Sequence, residues 1–480
     1  MASGPSTPAG TRTAPRCGST AELAPPRTRD RRPGPEQAVD RARLVEQAQG
    51  LQLRLIRFLY CDCDGVIRGK ATGTSQLAER LEGGIGLTVA MQAFTMLDRL
   101  ATVEGMGPVG EIRLVADPAT FVVAPYAPHT GVVLVDMLTT GGDPYDADPR
   151  GFLRRMVERA AGLDLAVVAA FEPEWSLARE EDGELVPFDR SLCFDSRGMD
   201  AAAEVIDEVV AALEDQGMPV EQYYPELGHG QQELSIRHAP ALQAADQHLL
   251  YRETVRGVAR HHGLHASFAP KPWPDQPGNG CHLHLSAVDA AGGRQRFHDP
   301  DAGDGLSATG RSFAAGVLFH LPALVALTCA SVNSYRRLVP RSWASAYRVW
   351  GHDNREAALR VASPYWGREA ATVNLELKPS DASANPHLAL GAVIAAGLDG
   401  VERGLELPPA VEADPDTVAG CERLPTSLGE ALDRLERDPV LLDALGRRLA
   451  GCYLAVKRDD IAAFAAGDDL FEFTQHRLRH

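Results

Sequence analysis

Short runs of alternating apolar and polar residues follow one another between residues 49 and 142. Such alternation is typical of half-buried strands, and an Asp-Gly pair between two runs is typical of a hairpin turn. Asp64-Gly65 separates the first two runs, and a helical pattern lies over 75–82. The predicted strands are 53–60, 66–71, 110–115, 120–124 and 131–138. We therefore predict a small α+β domain over residues 49–142.

From residue 143 to residue 480, apolar positions recur at helical spacing and strand-like runs interrupt them. The predicted helices are 149–162, 200–216, 241–262 and 310–329, followed by a helical tail from 427 to the end. A buried strand is predicted over 165–174. This pattern favours a second domain in which helices pack outside a large antiparallel sheet.

Residues 1–48 lack apolar periodicity and are rich in Pro, Arg, Ser, Thr and Gly, which is typical of a disordered segment. They contain no apolar core of a secretion signal. We expect a dispensable leader, and a regulatory or organelle-related role is the alternative.

Composition narrows the class of protein. The 480 residues carry a net charge of −17, which argues against nucleic acid as the main partner and requires local basic groups or metal ions for anionic substrates. The eight cysteines are scattered and complete no zinc site, so we expect reduced thiols in a cytoplasmic protein. The longest apolar stretch, 313–330, contains His320 and Pro322 and predicts a buried helix rather than a membrane span.

Six potential metal ligands lie on four short strand-like stretches: Glu172, Glu174, Glu226, Glu233, His282 and Glu376. Three of the stretches carry ionisable groups at i and i+2, and a strand sends such a pair to one face. Burying two charges on one face is costly unless a cation compensates them. Because carboxylate oxygens suit Mg²⁺ or Mn²⁺, we predict an active site with two or three of these ions.

Each stretch also has a plainer explanation. Glutamate pairs such as Glu172 and Glu174 arise by chance in an acidic chain, and a hairpin turn would explain the glycines between Glu226 and Glu233. A lone histidine is usually a packed core residue. Two histidines at i and i+2 after the Gly-Asn-Gly turn at 278–280 are more often ligands or substrate contacts.

Arginines are concentrated in two segments, at 333–340 and at 354–360. Guanidinium groups match carboxylate and phosphate oxygens in pairs, so these segments are candidate anion clamps. The alternative is a charged helix surface, which fits poorly beside Val339-Pro340.

Taken together, in this order and spacing, these stretches resemble the glutamine synthetase family from about residue 50 to the end. The resemblance implies an α+β fold with a small β-grasp-like N-terminal domain over 49–142. It also implies a large catalytic domain over 143–480, in which helices flank a curved antiparallel sheet. It further implies a homo-oligomeric double ring, expected as a dodecamer, whose active sites lie between neighbouring subunits.

The resemblance also implies roles for single residues. The ligands of the first metal correspond to Glu174, Glu226 and Glu233, and those of the second to Glu172, His282 and Glu376. Nucleotide contacts correspond to Glu221 and Ser286, although Glu221 alone would pass for a surface residue. The substrate and phosphate contacts, several of them catalytic, correspond to Gly278, His284, Arg337, Arg355 and Arg360.

This set implies an ATP-dependent carboxylate-amine ligase. A carboxylate resists attack by an amine because oxide is a poor leaving group, whereas an acyl phosphate made from ATP loses phosphate easily. Both steps concentrate negative charge, which two cations and several arginines would stabilise.

Several substrate positions depart from the family pattern. Thr88 and Trp343 stand where members that use ammonium carry two acidic residues, and Cys193 corresponds to a pocket tyrosine. An indole covers an apolar amine or stacks on a cationic one, so we predict an organic amine as the second substrate. Pro277 and Lys378 replace an asparagine and an arginine that bind the acid, and L-glutamate remains the first choice of acid.

Alternatives remain open. The chain would be a true glutamine synthetase if its rebuilt pocket still takes ammonium. A different amino acid or a dicarboxylate is the alternative to glutamate as the acid. A non-catalytic ring that serves as a sensor or scaffold has no need for so many buried charges. A carboxylate-metal hydrolase would not explain the arginines.

Overall fold

The computed structural model describes Met1 and residues 35–480, and it describes the side chains of the first helix from Asp40 onward. Residues 2–34 of the predicted leader lie outside this description. The prediction of disorder is wrong for 35–48, because α1 (Pro35–Gly50) is a helix. Leu44 and Ala48, four residues apart, are both buried against the first sheet. Val45 is partly buried beside them, and these three residues are the apolar face of the described part of α1, which is too short a pattern to predict a helix.

A first sheet follows α1 and has the strand order β2-β1-β6-β4-β3, with β5 paired to β6. The β1–β6 pair is parallel and the other pairs are antiparallel. The strands are β1 (Leu55–Cys61), β2 (Ile67–Gly73), β3 (Ile85–Thr88), β4 (Glu111–Ala116), β5 (Val122–Val123) and β6 (Thr130–Thr139). Helix α2 (Leu77–Gly83) lies before β3. All five predicted strands and the predicted helix are present, and only β3 was not predicted.

The second sheet has ten strands and carries the candidate site. Its order is β14-β15-β16-β13-β7-β10-β9, and β8, β11 and β12 also pair with β7. All pairs are antiparallel except β14 with β15. The strands are β7 (Ala166–Glu181), β8 (Glu184–Pro187), β9 (Val220–Pro225), β10 (Gln231–Ile236), β11 (Ala239–Pro240), β12 (His265–Ser267), β13 (Cys281–Val288), β14 (Tyr347–His352), β15 (Ala357–Val361) and β16 (Leu375–Leu377).

Helices pack around the two sheets. They are α3 (Pro149–Ala161), α4 (Ser196–Asp215), α5 (Ala241–His261), α6 (Ala308–Thr328), α7 (Ser334–Arg337), α8 (Glu369–Thr372), α9 (Pro386–Arg403), α10 (Leu428–Leu435), α11 (Pro439–Leu445), α12 (Arg447–Ala465) and α13 (Asp469–Arg479). Helix α6 is long and apolar enough to cross a membrane, but it is mostly buried inside the protein. The prediction of a buried helix over the apolar stretch is therefore confirmed.

Buried charges join the two domains. Arg150 at the start of α3 donates to Asp136 of β6 at 2.6 Å, to Asp117 at 2.8 Å and to Asp246 of α5 at 2.7 Å. Asn385 also donates its side-chain amide to the carbonyl oxygen of Cys61 at 3.0 Å. The two sheets are therefore held in one fixed arrangement. The predicted boundary at 142/143 falls between β6 and α3 and stays a prediction.

Candidate active site

The strand registers place the predicted ligands directly opposite one another on one face of the second sheet. The cross-strand pairs are Glu174 with Glu233, Glu172 with His282, Glu376 with His284, and Glu376 with Arg360. Because directly opposite side chains lie about 5 Å apart, five separate strands converge on one charged surface. The residues on alternate positions, such as Leu283 and Leu377, are buried on the opposite face.

Glu172 and Glu376 lie beside both histidines of β13. His284 Nε2 is 3.1 Å from Glu172 Oε2, and His282 Nδ1 is 3.3 Å from Glu376 Oε1 and 3.6 Å from Glu172 Oε2. Ligand atoms of Glu172, His284 and Glu376 lie within 4.8 Å of one another, which makes a candidate metal group. The predicted ligand of this group was His282. Both histidines share the face, so the assignment of His282 stays a prediction.

Glu174 and Glu233 form the neighbouring part of the site. Glu174 Oε2 accepts hydrogen bonds from Gln231 Nε2 at 2.8 Å and from the Gly280 N–H at 2.9 Å. Glu233 Oε1 accepts one from the Tyr224 hydroxyl. A Cβ at Gly280 would clash with Arg337 Nη2 and lie 3.0 Å from both Glu174 Oε1 and His282 Nε2, so a larger residue would displace these side-chain ends.

The five carboxylates fall into two groups. Against the effect of burial, hydrogen bonds from His282 and His284 lower the pKa of Glu172, and nearby positive charges lower the pKa of Glu376. The pKa values of the other three are raised. Burial raises the pKa of Glu233 to about 11, and repulsion by Glu172 and Glu174 adds to this effect. Burial also raises the pKa of Glu174, although Arg337 partly opposes it. Burial and the charge of Glu172 raise the pKa of Glu226, which hydrogen bonds partly oppose.

Divalent cations fit this group. They would replace the missing counter-charge, and their preferred ligands are carboxylate oxygens and imidazole nitrogens of this kind. Glu376 Oε2 has no hydrogen-bond partner among the described residues, although the Arg360 guanidinium lies beside it. The residues therefore fit Mg²⁺ or Mn²⁺, with Glu172, Glu376 and a histidine as one ligand group.

Basic side chains line the same face. Arg337 is buried and donates from Nη2 to His282 Nε2 at 3.3 Å, and its Nη1 donates to the carbonyl oxygen of Ser380 at 3.3 Å. Lys378 Nζ is 3.6 Å from Glu376 Oε1. Burial lowers the pKa of Lys378, and the charge of Glu376 opposes this shift. A site that mixes carboxylates and cations in this way suits substrates that carry several negative oxygens.

Comparisons with known proteins decide the family. The model of the glutamine synthetase catalytic domain matches residues 146–476, and the model of the glutamine synthetase N-terminal domain matches residues 39–149. The chain belongs to the glutamine synthetase family. Members of this family are ATP-dependent ligases that use divalent metals, and the chain is a ligase of this kind.

Individual relatives carry two kinds of name. A gamma-glutamylpolyamine synthetase GlnA3 from Streptomyces coelicolor is 37% identical over 85% of this chain and 90% of its own length. A glutamine synthetase from Pyrococcus horikoshii is 36% identical over 83% of this chain and 88% of its own length.

Solved structures agree with the fold. A novel glutamine synthase homolog superposes with a TM-score of 0.81 at 37% identity, covering 89% of this chain and 99% of that chain. A GmaS/ADP complex superposes with a TM-score of 0.80 at 30% identity, covering 89% of this chain and 98% of that chain. The predicted fold class is therefore confirmed.

Other predicted contacts of this glutamine synthetase family chain lie around the same face. Ser286 is two residues beyond His284 on β13, and Gly278 packs on Arg337, where an added Cβ would lie 2.8 Å from Cγ. Arg355 is an exposed residue in the turn before β15, and its charge opposes the rise in the pKa of Glu226. Their predicted substrate and phosphate roles stay predictions.

Glu221 and Thr88 are not brought to the site within one copy of the chain. Glu221 is exposed on β9 and pairs with Arg237 at 3.2 Å. The β9–β10 pairing is irregular at this point, where Gln222 pairs with Ser235 and Val220 with Ile236, and Glu221 has no cross-strand partner in the register. Thr88 is an exposed residue at the end of β3 in the first sheet.

Three site residues were not predicted. Gln231 donates to Glu174 and, at 3.0 Å, to the carbonyl oxygen of Gly278. Asn374 Oδ1 lies 3.0 Å from His284 Nδ1, and Tyr224 contacts Glu233. Gln231 was detectable, because its spacing of two from Glu233 places both side chains on one face of a strand.

The segment after Arg337 carries Trp343, for which the resemblance implies a place in the amine pocket. Its indole is 55% exposed, and its backbone φ of 57° lies in the left-handed region. The Trp343 N–H donates to Glu356 Oε1 at 2.7 Å. Glu356 follows Arg355 directly in the chain. The indole therefore lies on a loop that is fixed between two arginine-bearing segments.

Proposed function

We propose that the protein joins an organic amine to the γ-carboxylate of glutamate and consumes ATP in doing so. The observation that carries this proposal is the Trp343 loop, which presents a half-exposed indole where ammonium-using relatives are expected to place a carboxylate. An indole face attracts alkylammonium groups and covers hydrocarbon, whereas a small free ammonium ion prefers acidic oxygens.

The residues support a reaction in two stages. In the first, a carboxylate oxygen of the acid substrate attacks the γ-phosphorus of ATP, and the bond to the bridging oxygen of ADP breaks. In the second, the amine nitrogen attacks the acyl carbon, loses a proton, and the bond to phosphate breaks. Bound Mg²⁺ or Mn²⁺ would offset the charge on the phosphate oxygens.

Basic side chains of the chain itself contribute to both stages. Arg337 and Lys378 are buried beside the carboxylate face and are placed to hold the acid substrate. Arg355 and Arg360 are placed to neutralise the phosphoryl oxygens, and such electrostatic stabilisation is the main source of rate enhancement in most phosphoryl transfers. Glutamate is the proposed acid because Arg337, Gly278 and His284 correspond to the residues expected to contact the acid in the family.

The relatives support this interpretation without deciding the amine. The Streptomyces relative is named a gamma-glutamylpolyamine synthetase, but several relatives of 31–36% identity are named glutamine synthetases. Ammonium is therefore the second candidate substrate.

The decisive measurement is the ATPase rate with glutamate and either ammonium or a panel of organic amines, with mass spectrometry of the products. We expect organic amines to give the higher kcat/KM and a γ-glutamyl amide to form. We also expect Trp343→Glu to shift the preference toward ammonium, and Trp343→Phe to preserve the preference of the native chain. Ammonium as the best substrate of the native chain would refute the proposal.

The assembled enzyme is proposed to be a homo-oligomeric ring, a dodecamer, in the cytoplasm. Each site would contain two or three metal ions and would be completed by Thr88 from a neighbouring subunit. All seven cysteines in the described part of the chain are free thiols, which is consistent with a reducing compartment. Light scattering on the purified protein tests the assembly.

A further inference from the structure

Three large apolar side chains are exposed beside the acidic site. Leu192, Phe194 and Leu227 are 70%, 60% and 51% exposed, and we call them the apolar collar. They lie on two segments, before α4 and after β9. The Phe194 N–H joins the segments by donating to the carbonyl oxygen of Pro225 at 2.9 Å.

The collar is continuous with the acidic residues. The Phe194 ring meets the Tyr224 ring edge-on at 4.9 Å, and the Tyr224 hydroxyl donates to Glu233. Between Leu192 and Phe194, Cys193 Sγ lies 3.8 Å from Glu226 Oε2. The Leu227 N–H donates to the same oxygen at 2.9 Å. The apolar collar therefore directly adjoins the carboxylates of the site.

The backbone at Phe194 is held in an unfavourable conformation. Its φ of 58° lies in the left-handed region, which a bulky aromatic residue rarely adopts. Such strain persists only where the surroundings impose it, and it is concentrated at functional sites. The Phe194 ring is exposed and contacts the ring of Tyr224.

We propose that the collar binds the hydrocarbon tail of the amine substrate, so that the enzyme prefers monoamines with an apolar tail. This inference rests on the proposed function. The ammonium head of such an amine is attracted by Glu226, and its methylene groups lie against Leu192, Phe194 and Leu227. A diamine or polyamine of equal length would place a second charge on the collar, where it would lose hydration without gaining a counter-charge.

The test compares amines of matched length. With native enzyme, glutamate and ATP, kcat/KM is measured for ammonium, methylamine, propylamine, butylamine and pentylamine, and for 1,4-diaminobutane and 1,5-diaminopentane. We expect kcat/KM to rise about fourfold for each added methylene, in keeping with the transfer of one CH₂ out of water. We also expect butylamine and pentylamine to exceed the diamines of the same length.

Two variants test whether the preference for longer amines depends on the collar. Phe194→Asn keeps a residue type that tolerates the left-handed conformation, and Leu227→Asn removes apolar area without charge. Both should flatten the dependence of kcat/KM on the length of the amine. Leu470→Asn on α13 is the matched control, because Leu470 is also exposed, at 67%, but lies outside the collar.

The outcomes separate the two proposals. Faster reaction of the diamines would overturn the collar inference and leave an organic-amine ligase. Ammonium as the best substrate would overturn the proposed function itself. If the collar variants dissociate the oligomer without changing the amine preference, the collar is a contact between copies of the chain and the inference is refuted.

Discussion

Gln231 gives the sharpest test of the site, because an adjacent residue of the same type provides its control. Gln231 and Gln232 are both almost completely buried on β10, and their side chains lie on opposite faces of the sheet. Gln231 contacts Glu174, the Gly278 carbonyl oxygen and, as acceptor at 2.7 Å, the Gly228 N–H. Gln232 contacts the Tyr223 hydroxyl and no predicted ligand.

Replacement by methionine removes these hydrogen bonds and keeps an unbranched chain of similar length. Gln231→Met loses one bond to a carboxylate, worth about 2 kcal/mol, and two neutral bonds, worth about 1 kcal/mol each. Gln232→Met loses neutral bonds only, which are worth about 2 kcal/mol together. Both variants should therefore lower stability, and Gln231→Met should lower it more.

Metal affinity distinguishes the two variants. Loss of a group that orients a metal ligand costs about 10- to 100-fold in metal affinity. We expect Gln231→Met to weaken Mn²⁺ binding by about this factor and Gln232→Met to leave it unchanged. Free Mn²⁺ is measured by electron paramagnetic resonance without nucleotide, and stability by thermal unfolding in EDTA. Equal Mn²⁺ affinity in the two variants would refute a role for Gln231 in holding Glu174.

Two further predictions concern the scaffold. Burial lowers the pKa of His320, but its bonds to Asp438 at 2.6 Å and Asp399 at 3.0 Å outweigh burial and raise it. Its contribution to stability is therefore full below the unfolded value of about 6.5 and is lost as pH rises through the folded value. Calorimetry should show that His320→Gln lowers Tm more at pH 6 than at pH 9, and an equal loss would contradict this. Lys457 and Asp64 form an ion pair in which both side chains are 1% exposed. Lys457→Met should cost about 3–5 kcal/mol in urea unfolding, and Lys457→Met with Asp64→Leu should recover part of it, because the buried charge is then gone.

The ligand stretches were predictable because each carries its signal locally. The spacing of two in Glu172 and Glu174, and in His282 and His284, follows directly from strand geometry. Glu221 alone would pass for a surface residue, and it is exposed in the structure. The nucleotide contact at this position was implied by the family resemblance and stays a prediction.

Other features depend on tertiary structure and left no local signal. The pairing of Glu376 with His284 and Arg360 requires the registers of three strands that are far apart in the chain. The segment around Leu44 looks disordered because its few apolar residues gain burial only against the first sheet. Gln231 shares a strand face with Glu233, but its hydrogen bond to Glu174 depends on the pairing of β10 with β7.

The sheet that forms the site also explains why such concentrated charge is tolerated. Along β13, the histidines alternate with Cys281, Leu283 and Leu285, which are all buried on the other face. A shift of one residue in register would expose these apolar side chains to the charged face and bury both histidines in the core. Packing on the helical side therefore fixes the register, and the register fixes the ligand pairs. The repulsion among Glu172, Glu174 and Glu233 is thus held in place by the apolar core until cations relieve it.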